Sequence, residues 1–464
     1  MKIKLAKTEI IHFIGIGGIG MSGLALIMKS MGFKVQGSDI FLNKNTDRLK
    51  KNNIKIFIGH NKKNIKRATI LVISSAIKSN NTEILSARKK QLPIYKRGEM
   101  LAHIVSLTKN IVVSGSHGKT TTTSLVESIF SKAKLDPTII NGGVLNSFNS
   151  SAKLGKSNWC ILESDESDGS FIKVPPTYSI ITNIDREHMD FYKSMDNLKK
   201  LFVEFIQKVP SFGKSFICID DKNNKEIVKK IKIKNFHTYG VDKNSQFCIQ
   251  NILQSKEYSK FSIDIKLPGK KKNKISNIKI PLLGLHNIRN ATAAVAVATT
   301  IGISTKIIKQ ALKEFKGVQR RFNKIFTFRK VDFFDDYAHH PTEIKELLKG
   351  VRKSYKIEEI ICAFQPHRIS RINNLKKEFS KAFINANKVV LFPVYTAGEK
   401  LKLNFNYQSF AKLMIKNSKV SVILVKNEIQ FAKYINQNIY GKKIVIGMGA
   451  GSISNWIRNL PKML

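Results

Sequence analysis

The chain has 464 residues, enough for about three domains at roughly 150 residues apiece. With 42% hydrophobic residues and a mean hydropathy of -0.16, it is neither a disordered tail nor a membrane bundle. The charge stands out: 80 Lys+Arg against 33 Asp+Glu give +47 and a pI near 10.1. That balance points either to a polyanionic partner or to a compositional drift toward lysine that coats every exposed face.

The N-terminus, MKIKLAKTEIIHFIGIGGIGMSG, places apolar residues after a basic start, but Glu9 and His12 interrupt the run and glycines punctuate it. It reads as neither a secretion signal nor a membrane span. Short β-rich runs then alternate with helical stretches, the pattern of parallel sheets with crossover helices. A first block, about Ile10 to Leu107, has strands EIIHFIGI, KVQGSD, IKIFIG and ATILVISS between amphipathic stretches such as Ala25 to Met31 and Thr82 to Lys90. A second opens with NIVVSGS and continues through WCILES, YSIITNI and SFICID. It loosens over Phe247 to Pro281 and closes on the Ala-rich helix after Asn287. The third starts near Asn323, with strands VDFFDDYA, EIICAFQP, KVVLFPVY, SVILV and KKIVIGMG. Lysine runs such as Lys270 to Lys272 read as solvated turns. Cys160, Cys218, Cys248 and Cys362 have no C-x-x-C spacing, which fits reduced thiols in a cytoplasmic protein.

Gly15-Ile16-Gly17-Gly18-Ile19-Gly20-Met21-Ser22-Gly23 joins a strand to a helix, where glycines let backbone N–H groups approach a pyrophosphate. Asp39 ends the next strand, 19 residues after Gly20, where an acid can accept a ribose hydroxyl. Alone, this motif fits a nicotinamide-dependent dehydrogenase or a purely structural turn. Gly115-Ser116-His117-Gly118-Lys119-Thr120-Thr121 is a second strand-to-helix loop, now with a lysine for β/γ-phosphate charge and a hydroxyl for Mg²⁺. Val113 stands where the usual phosphate loop has its first glycine. Two phosphate loops imply two nucleotide-like ligands, which a simple dehydrogenase does not need. Carboxylates for Mg²⁺ belong at neighbouring strand ends. Glu163, Asp165, Glu166, Asp168, Asp185, Glu187, Asp190 and Asp196 lie there, eight acids within 34 residues of an acid-poor chain.

GIGGIGMSG, GSHGKTTT, ESDESDGSF and TNIDREHMDFY, followed by LLGLHNIRNA, GVQRRF, DDYAHHPTE, QPHRISR, VYTAGE and GAGSI, resemble the Mur ligases nearly end to end and in order. The shortened spacing of the phosphate-loop glycines is the normal form in that family. The resemblance implies an α/β protein of three domains, each a mostly parallel sheet with flanking helices: N-terminal Rossmann-like, central P-loop ATPase-like and C-terminal Rossmann-like. Residues 1–108 would bind the UDP-sugar, 109–321 ATP, and 322–464 would close over ATP and amino acid.

It further implies ATP-dependent ligation of L-alanine to the lactyl carboxylate of UDP-N-acetylmuramate through an acyl phosphate, in cytoplasmic peptidoglycan precursor synthesis. Gly15, Gly17, Gly18, Gly20 and Gly23, with Asp39 and Ser74, would then hold the UDP substrate. Gly115, Ser116, His117, Gly118, Lys119, Thr120 and Thr121 would hold ATP, with His286, Asn287 and Asn290 on the adenine side. Arg320 and Arg321 would reach the phosphates and Asp336 the ribose. His339, His367, Arg368 and Arg371 would face substrate carboxylates. Lys119, His188, Arg321 and Arg368 are the implied catalytic groups. Thr120, Glu163 and His188 would bind two Mg²⁺ ions, with Mn²⁺ as a substitute.

Sister ligases place a carbamylated lysine about 15 residues after this histidine; here the count lands on Val203, with Lys199 and Lys200 out of step, so none is expected. A recycling ligase that adds a whole tripeptide to the same sugar nucleotide is the near alternative, and an NAD-dependent oxidoreductase the distant one. No interleaved basic and aromatic motif supports nucleic-acid binding, and no segment a membrane; monomer and dimer stay open.

Overall fold

The computed structural model describes residues 8–106, 108–147, 150–232, 234–399 and 405–464; the basic start at 1–7 and Leu107, where the first block was expected to end, lie outside them. Among the described residues the strands form three sheets. The first is fully parallel, in the order β3-β2-β1-β4-β5, from β1 (Ile10–Ile14), β2 (Lys34–Asp39), β3 (Lys55–Ile58), β4 (Ile70–Ile73) and β5 (Ile94–Lys96). The chain leaves β1 toward β2 on one side and later reaches β4 on the other. The loop after β1 therefore opens at the point where strand order reverses, the usual ligand crevice of such sheets. Gly37 faces Phe13 across β1 and β2, and a Cβ there would stand 2.6 Å from Ile16 Cδ1. The missing side chain lets Ile16 seat the glycine turn in the core.

The second sheet runs β15-β14-β13-β12-β11-β10-β6-β9-β7-β8. Its members are β6 (Lys109–Ser114), β7 (Thr138–Leu145), β8 (Ser150–Lys153), β9 (Trp159–Glu163), β10 (Tyr178–Ile181), β11 (Lys214–Cys218), β12 (Phe236–Gly240), β13 (Phe247–Gln254), β14 (Ser259–Ile265) and β15 (Asn273–Ile280). β6 lies parallel between β10 and β9, so the ends of all three strands open on the loop that follows β6. The antiparallel hairpin β7–β8 was not expected from sequence; its strands are short and broken by Gly142 and Gly143, so neither strand nor helix period is visible. The third sheet, β16-β17-β21-β18-β19-β20, comprises β16 (Asn323–Phe328), β17 (Val331–Asp336), β18 (Glu359–Phe364), β19 (Lys388–Leu391), β20 (Ser421–Leu424) and β21 (Lys443–Met448). Only β16 in this sheet is antiparallel to its neighbour.

These elements pack as two compact units, one of Met1–Asn251, Phe261–Ile280 and Arg289–Lys316, the other of Ile252–Lys260, Pro281–Ile288 and Gly317–Leu464. In the first unit one apolar cluster runs from Met21, Leu24 and Ile27 on the helix Ile19–Ser30 through Ala152 and Leu162 to Phe171, Phe202 and Phe205. The hairpin lies on that helix and packs closely at Gly23, where a Cβ would come within 3.2 Å of Ala152 Cβ. In the second unit Phe364 lies fully buried against Phe379 and Phe383. No helix among the described residues is long and apolar enough to cross a membrane. Phe364→Ala should cost about 3–5 kcal/mol of stability, read from the urea midpoint; a loss below about 1 kcal/mol would mean that the layer collapses into the cavity.

Candidate active site

The first glycine turn hangs from the end of β2. Gly15 and Ile16 N–H both donate to the Ser38 carbonyl, at 2.8 and 3.1 Å, and Gly17 N–H donates to Asp39 Oδ2 at 2.7 Å. Asp39 Oδ1 accepts from Ile40 N–H, so both oxygens of this expected ribose ligand already organise the turn. Ser74, at the end of β4, lies under Gly15, 3.1 Å from where a Cβ would stand. Sequence reasoning overlooked Arg97, whose guanidinium covers Gly20 with Nη1 3.2 Å from a Cβ position there. Nothing in the primary structure separates this arginine from the 80 basic residues.

The second loop is strapped to the segment after β10. Ser116 N–H donates to the Asn183 carbonyl and His117 N–H to Asn183 Oδ1, each at 2.9 Å, while Asn183 Nδ2 returns a bond to the His117 carbonyl. Asp185 N–H donates to Ser116 Oγ, and His117 Nε2 meets Asp185 Oδ2 at 2.9 Å. Gly118 is left-handed, φ +82°, and a Cβ would collide with Asn290 Oδ1 at 2.7 Å, so Asn290 reaches the loop through the glycine. From Lys119 a helix runs to Lys132, presenting its first-turn N–H groups at the loop.

The acids close around this helix start. Lys119 Nζ donates to the Gly115 carbonyl at 2.6 Å and to Glu166 Oε2 at 2.7 Å, with Asp165 at 3.9 Å. Burial pulls the Lys119 ammonium downward, but the charges of Glu166, Asp165 and Glu163 outweigh it and hold the group above the usual lysine value. Burial pushes the Glu166 carboxyl up to about 7 against the pull of Lys119. Asp165 is likewise raised by burial, yet Lys119, His188 and Arg97 help bring it below the usual range. Glu163 Oε2 accepts from Thr120 Oγ1 and from Gly142 N–H, both at 2.8 Å; the hairpin glycine leaves room for that carboxylate. His188, held at φ +57°, gathers with Asp165 and Glu166, the three ligand atoms lying within 4.8 Å of one another. The Tyr192 hydroxyl donates to the Glu166 carbonyl and fixes that loop. Lys199 is buried and pairs with Glu226.

In the second unit, Asp336 is buried at the end of β17 and accepts from Phe322 N–H at 2.8 Å and Ala338 N–H at 2.7 Å. Burial raises its carboxyl to about 6. Arg320 donates to the Gly449 carbonyl, and both Arg320 and Arg321 lie over the Tyr337 ring. His339 sits edge-on to His367, which stacks on Tyr395 and meets Arg371 at 3.5 Å. Arg368, at φ +67°, occupies the N-cap position of the short helix Ile369–Asn374 that carries Arg371. His286 opens the helix Leu285–Ile301, and the Asn287 side chain is turned back onto the Leu283 carbonyl at 2.8 Å.

Residues 10–109 match the Mur ligase family catalytic domain, 113–298 the Mur ligase middle domain, and 320–451 the Mur ligase glutamate ligase domain. The chain belongs to the Mur ligase family. It is 71% identical, over the full length of both chains, to the UDP-N-acetylmuramate–L-alanine ligase of Pelagibacter ubique. It is 39% identical to that of Bartonella bacilliformis over 100% of this chain and 98% of the other. The solved UDP-N-acetylmuramate–alanine ligase of Thermotoga maritima superposes with TM-score 0.82 at 28% identity, covering 98% of each chain. A murein peptide ligase from Psychrobacter arcticus shares the fold, with TM-score 0.72 at 21% identity and 98% coverage of each chain. Within a Mur ligase the first glycine turn has no call for a nicotinamide, and the dehydrogenase alternative falls.

The ordinary state of His367 is strongly displaced. Burial first, then the charges of His339, Arg371 and Arg368, push its imidazole down to about 3. A histidine NMR titration should find His367 neutral throughout pH 8 to 5; an inflection near the unperturbed value of about 6.5 would overturn that environment.

Proposed function

We propose that the chain joins L-alanine to the lactyl carboxylate of UDP-N-acetylmuramate with ATP, releasing ADP and phosphate, as a cytoplasmic step of peptidoglycan precursor synthesis. The observation that carries this reading is the Lys119 ammonium, held between phosphate-loop carbonyls and Glu166 in a chain matched end to end by alanine-adding ligases. A carboxylate is a poor acyl donor, because its charge and resonance repel an amine. Its oxygen therefore attacks the γ-phosphorus of ATP, giving an acyl phosphate and ADP. The neutral amine of L-alanine then attacks the acyl carbon, and the tetrahedral adduct collapses with loss of phosphate and of the amine proton.

Such phosphoryl transfer rests on positioning and charge neutralisation. Lys119 supplies a permanent cation at the β/γ-phosphates, and the N–H groups at the start of its helix cradle them. Arg97 and the Gly15–Gly23 turn take the pyrophosphate of the sugar nucleotide. Asp336 sets the turn that carries Arg320 and Arg321, while His339, neutral His367, Arg368 and Arg371 receive a substrate carboxylate. Residues 1–108, 109–321 and 322–464 are the corresponding UDP-sugar, ATP and amino-acid domains.

The residues fit a hard divalent cation. Asp165, Glu166 and His188 converge, Glu166 Oε1 is buried without a hydrogen-bond partner, and Thr120 and Glu163 offer further oxygens. Asp165, Glu166 and His188 would hold one Mg²⁺ or Mn²⁺, and Thr120 and Glu163 a second. Bound there, such ions offset charge on the transferring phosphoryl oxygens.

The test is phosphate release with ATP, Mg²⁺ and UDP-N-acetylmuramate, adding L-alanine, L-serine, glycine or the tripeptide in turn. L-Alanine should support the fastest turnover; preference for the tripeptide would make this the recycling ligase. Lys119→Ala should cut ADP release by at least about 10²-fold while sparing binding of the UDP substrate, and near-wild-type turnover would remove Lys119 from the chemistry.

A further inference from the structure

Away from the phosphate loop, the first unit buries a second ionic cluster. Glu83, in the first turn of the helix Thr82–Lys89 after β4, is fully buried. Its Oε2 accepts from Ser38 Oγ at 2.6 Å and meets His12 Nε2 and His60 Nδ1 at 3.4 Å each. Its Oε1 accepts from Asn64 Nδ2 at 2.6 Å and Asn61 N–H at 3.2 Å. The hydrogen bonds assign the tautomers. Gln36 Nε2 donates to His12 Nδ1 at 3.2 Å, which leaves the His12 proton on Nε2 and pointed at Glu83. Ser38 donates to Glu83, so His60 Nδ1 donates to Ser38 Oγ at 3.0 Å. Burial works to raise the Glu83 carboxyl, but the bonds from His12, Ser38 and Asn64 hold it below the usual range.

A buried carboxylate contributes little stability that apolar side chains could not supply. What sets this one apart is the set of segments it ties together. They are the end of β2 through Ser38, the loop after β3 through His60, Asn61 and Asn64, and the helix after β4, all at the carboxyl edge of one parallel sheet. The loop after β1 joins through the Ser38 carbonyl, which accepts from Gly15 and Ile16, while Gly59 N–H donates to the Asp39 carbonyl at 2.8 Å.

We infer that Glu83 is a positioning residue for the sugar nucleotide: its carboxylate fixes Ser38 and Asp39, and through them the glycine turn that takes the UDP pyrophosphate. The inference rests on the reading of that turn as the UDP site. Glutamine keeps the volume of Glu83 but turns an NH₂ group toward donors.

In steady-state assays of the full-length enzyme, Glu83→Gln should raise KM for UDP-N-acetylmuramate on the order of tenfold, with kcat and KM for ATP within about twofold of wild type. A KM unchanged in folded Glu83→Gln, or activity lost only in proportion to the unfolded fraction, overturns the inference. Where Glu83→Gln does not fold, Ser38→Ala decides, since it removes the Glu83 link to β2, together with the His60 bond to the same hydroxyl, and leaves the Glu83 bonds to Asn61 and Asn64 in place: a severalfold rise in the same KM supports positioning, and an unchanged KM overturns it. Asp39→Ala separates the two levels. An unchanged KM there removes UDP from this turn, and the inference with it; a raised KM there beside an unchanged Glu83→Gln fails the inference alone.

Discussion

The first unit depends on keeping one ammonium charged while it is buried. Lys119 occupies the start of a helix whose N-terminus repels cations, in surroundings that strip water from it. It stays protonated because Glu166 and Asp165 arrive from the end of β9 and Glu163 from beside Thr120. Those acids in turn need their loop fixed, which Tyr192 does through the Glu166 carbonyl, and Asn183 fastens the phosphate loop from the other side. Sheet order makes this achievable: β6 lies between β9 and β10, so the lysine loop, the acid run and the Asn183 to His188 run leave neighbouring strand ends.

The same economy of charge explains the composition. Acids are scarce, yet Asp165 and Glu166 of the 163–190 stretch gather at the Lys119 ammonium, whereas lysines are strewn over exposed turns such as Lys270 to Lys272. An overall charge of +47 therefore says little about partners in this chain. The buried Glu83 carboxylate, beneath the first glycine turn, is instead held by hydrogen bonds from Ser38, Asn61 and Asn64.

Much of the α/β order was legible in the chain. Apolar runs such as IIHFI and KIVIGM, each followed by glycine, mark central strands of parallel sheets, because both faces of such strands are covered. The pieces that escaped are those with weak periodicity: the β7–β8 hairpin, β5 with three residues and β12 with five. At the site, the motifs located the loops but not the hydrogen bonds that hold them. The oxygens of Asp39 and Asp336 accept from backbone N–H groups of their own turns, contacts that no local spacing encodes. His188 gathers with Asp165 and Glu166, a grouping across two strand ends that spacing does not show.

The sequence by itself determined the family, the two glycine-rich strand-to-helix loops and the concentration of acids, since tight turns demand particular residues at fixed local spacings. Only the tertiary structure decided which acid serves which group. It paired Glu166 with Lys119, gave Glu163 to Thr120 and Gly142, drew Arg97 over Gly20 and sank Glu83 beneath Ser38. Those pairings join residues distant along the chain, and they are set by strand order and by where glycine lets another side chain enter, quantities with no local signature.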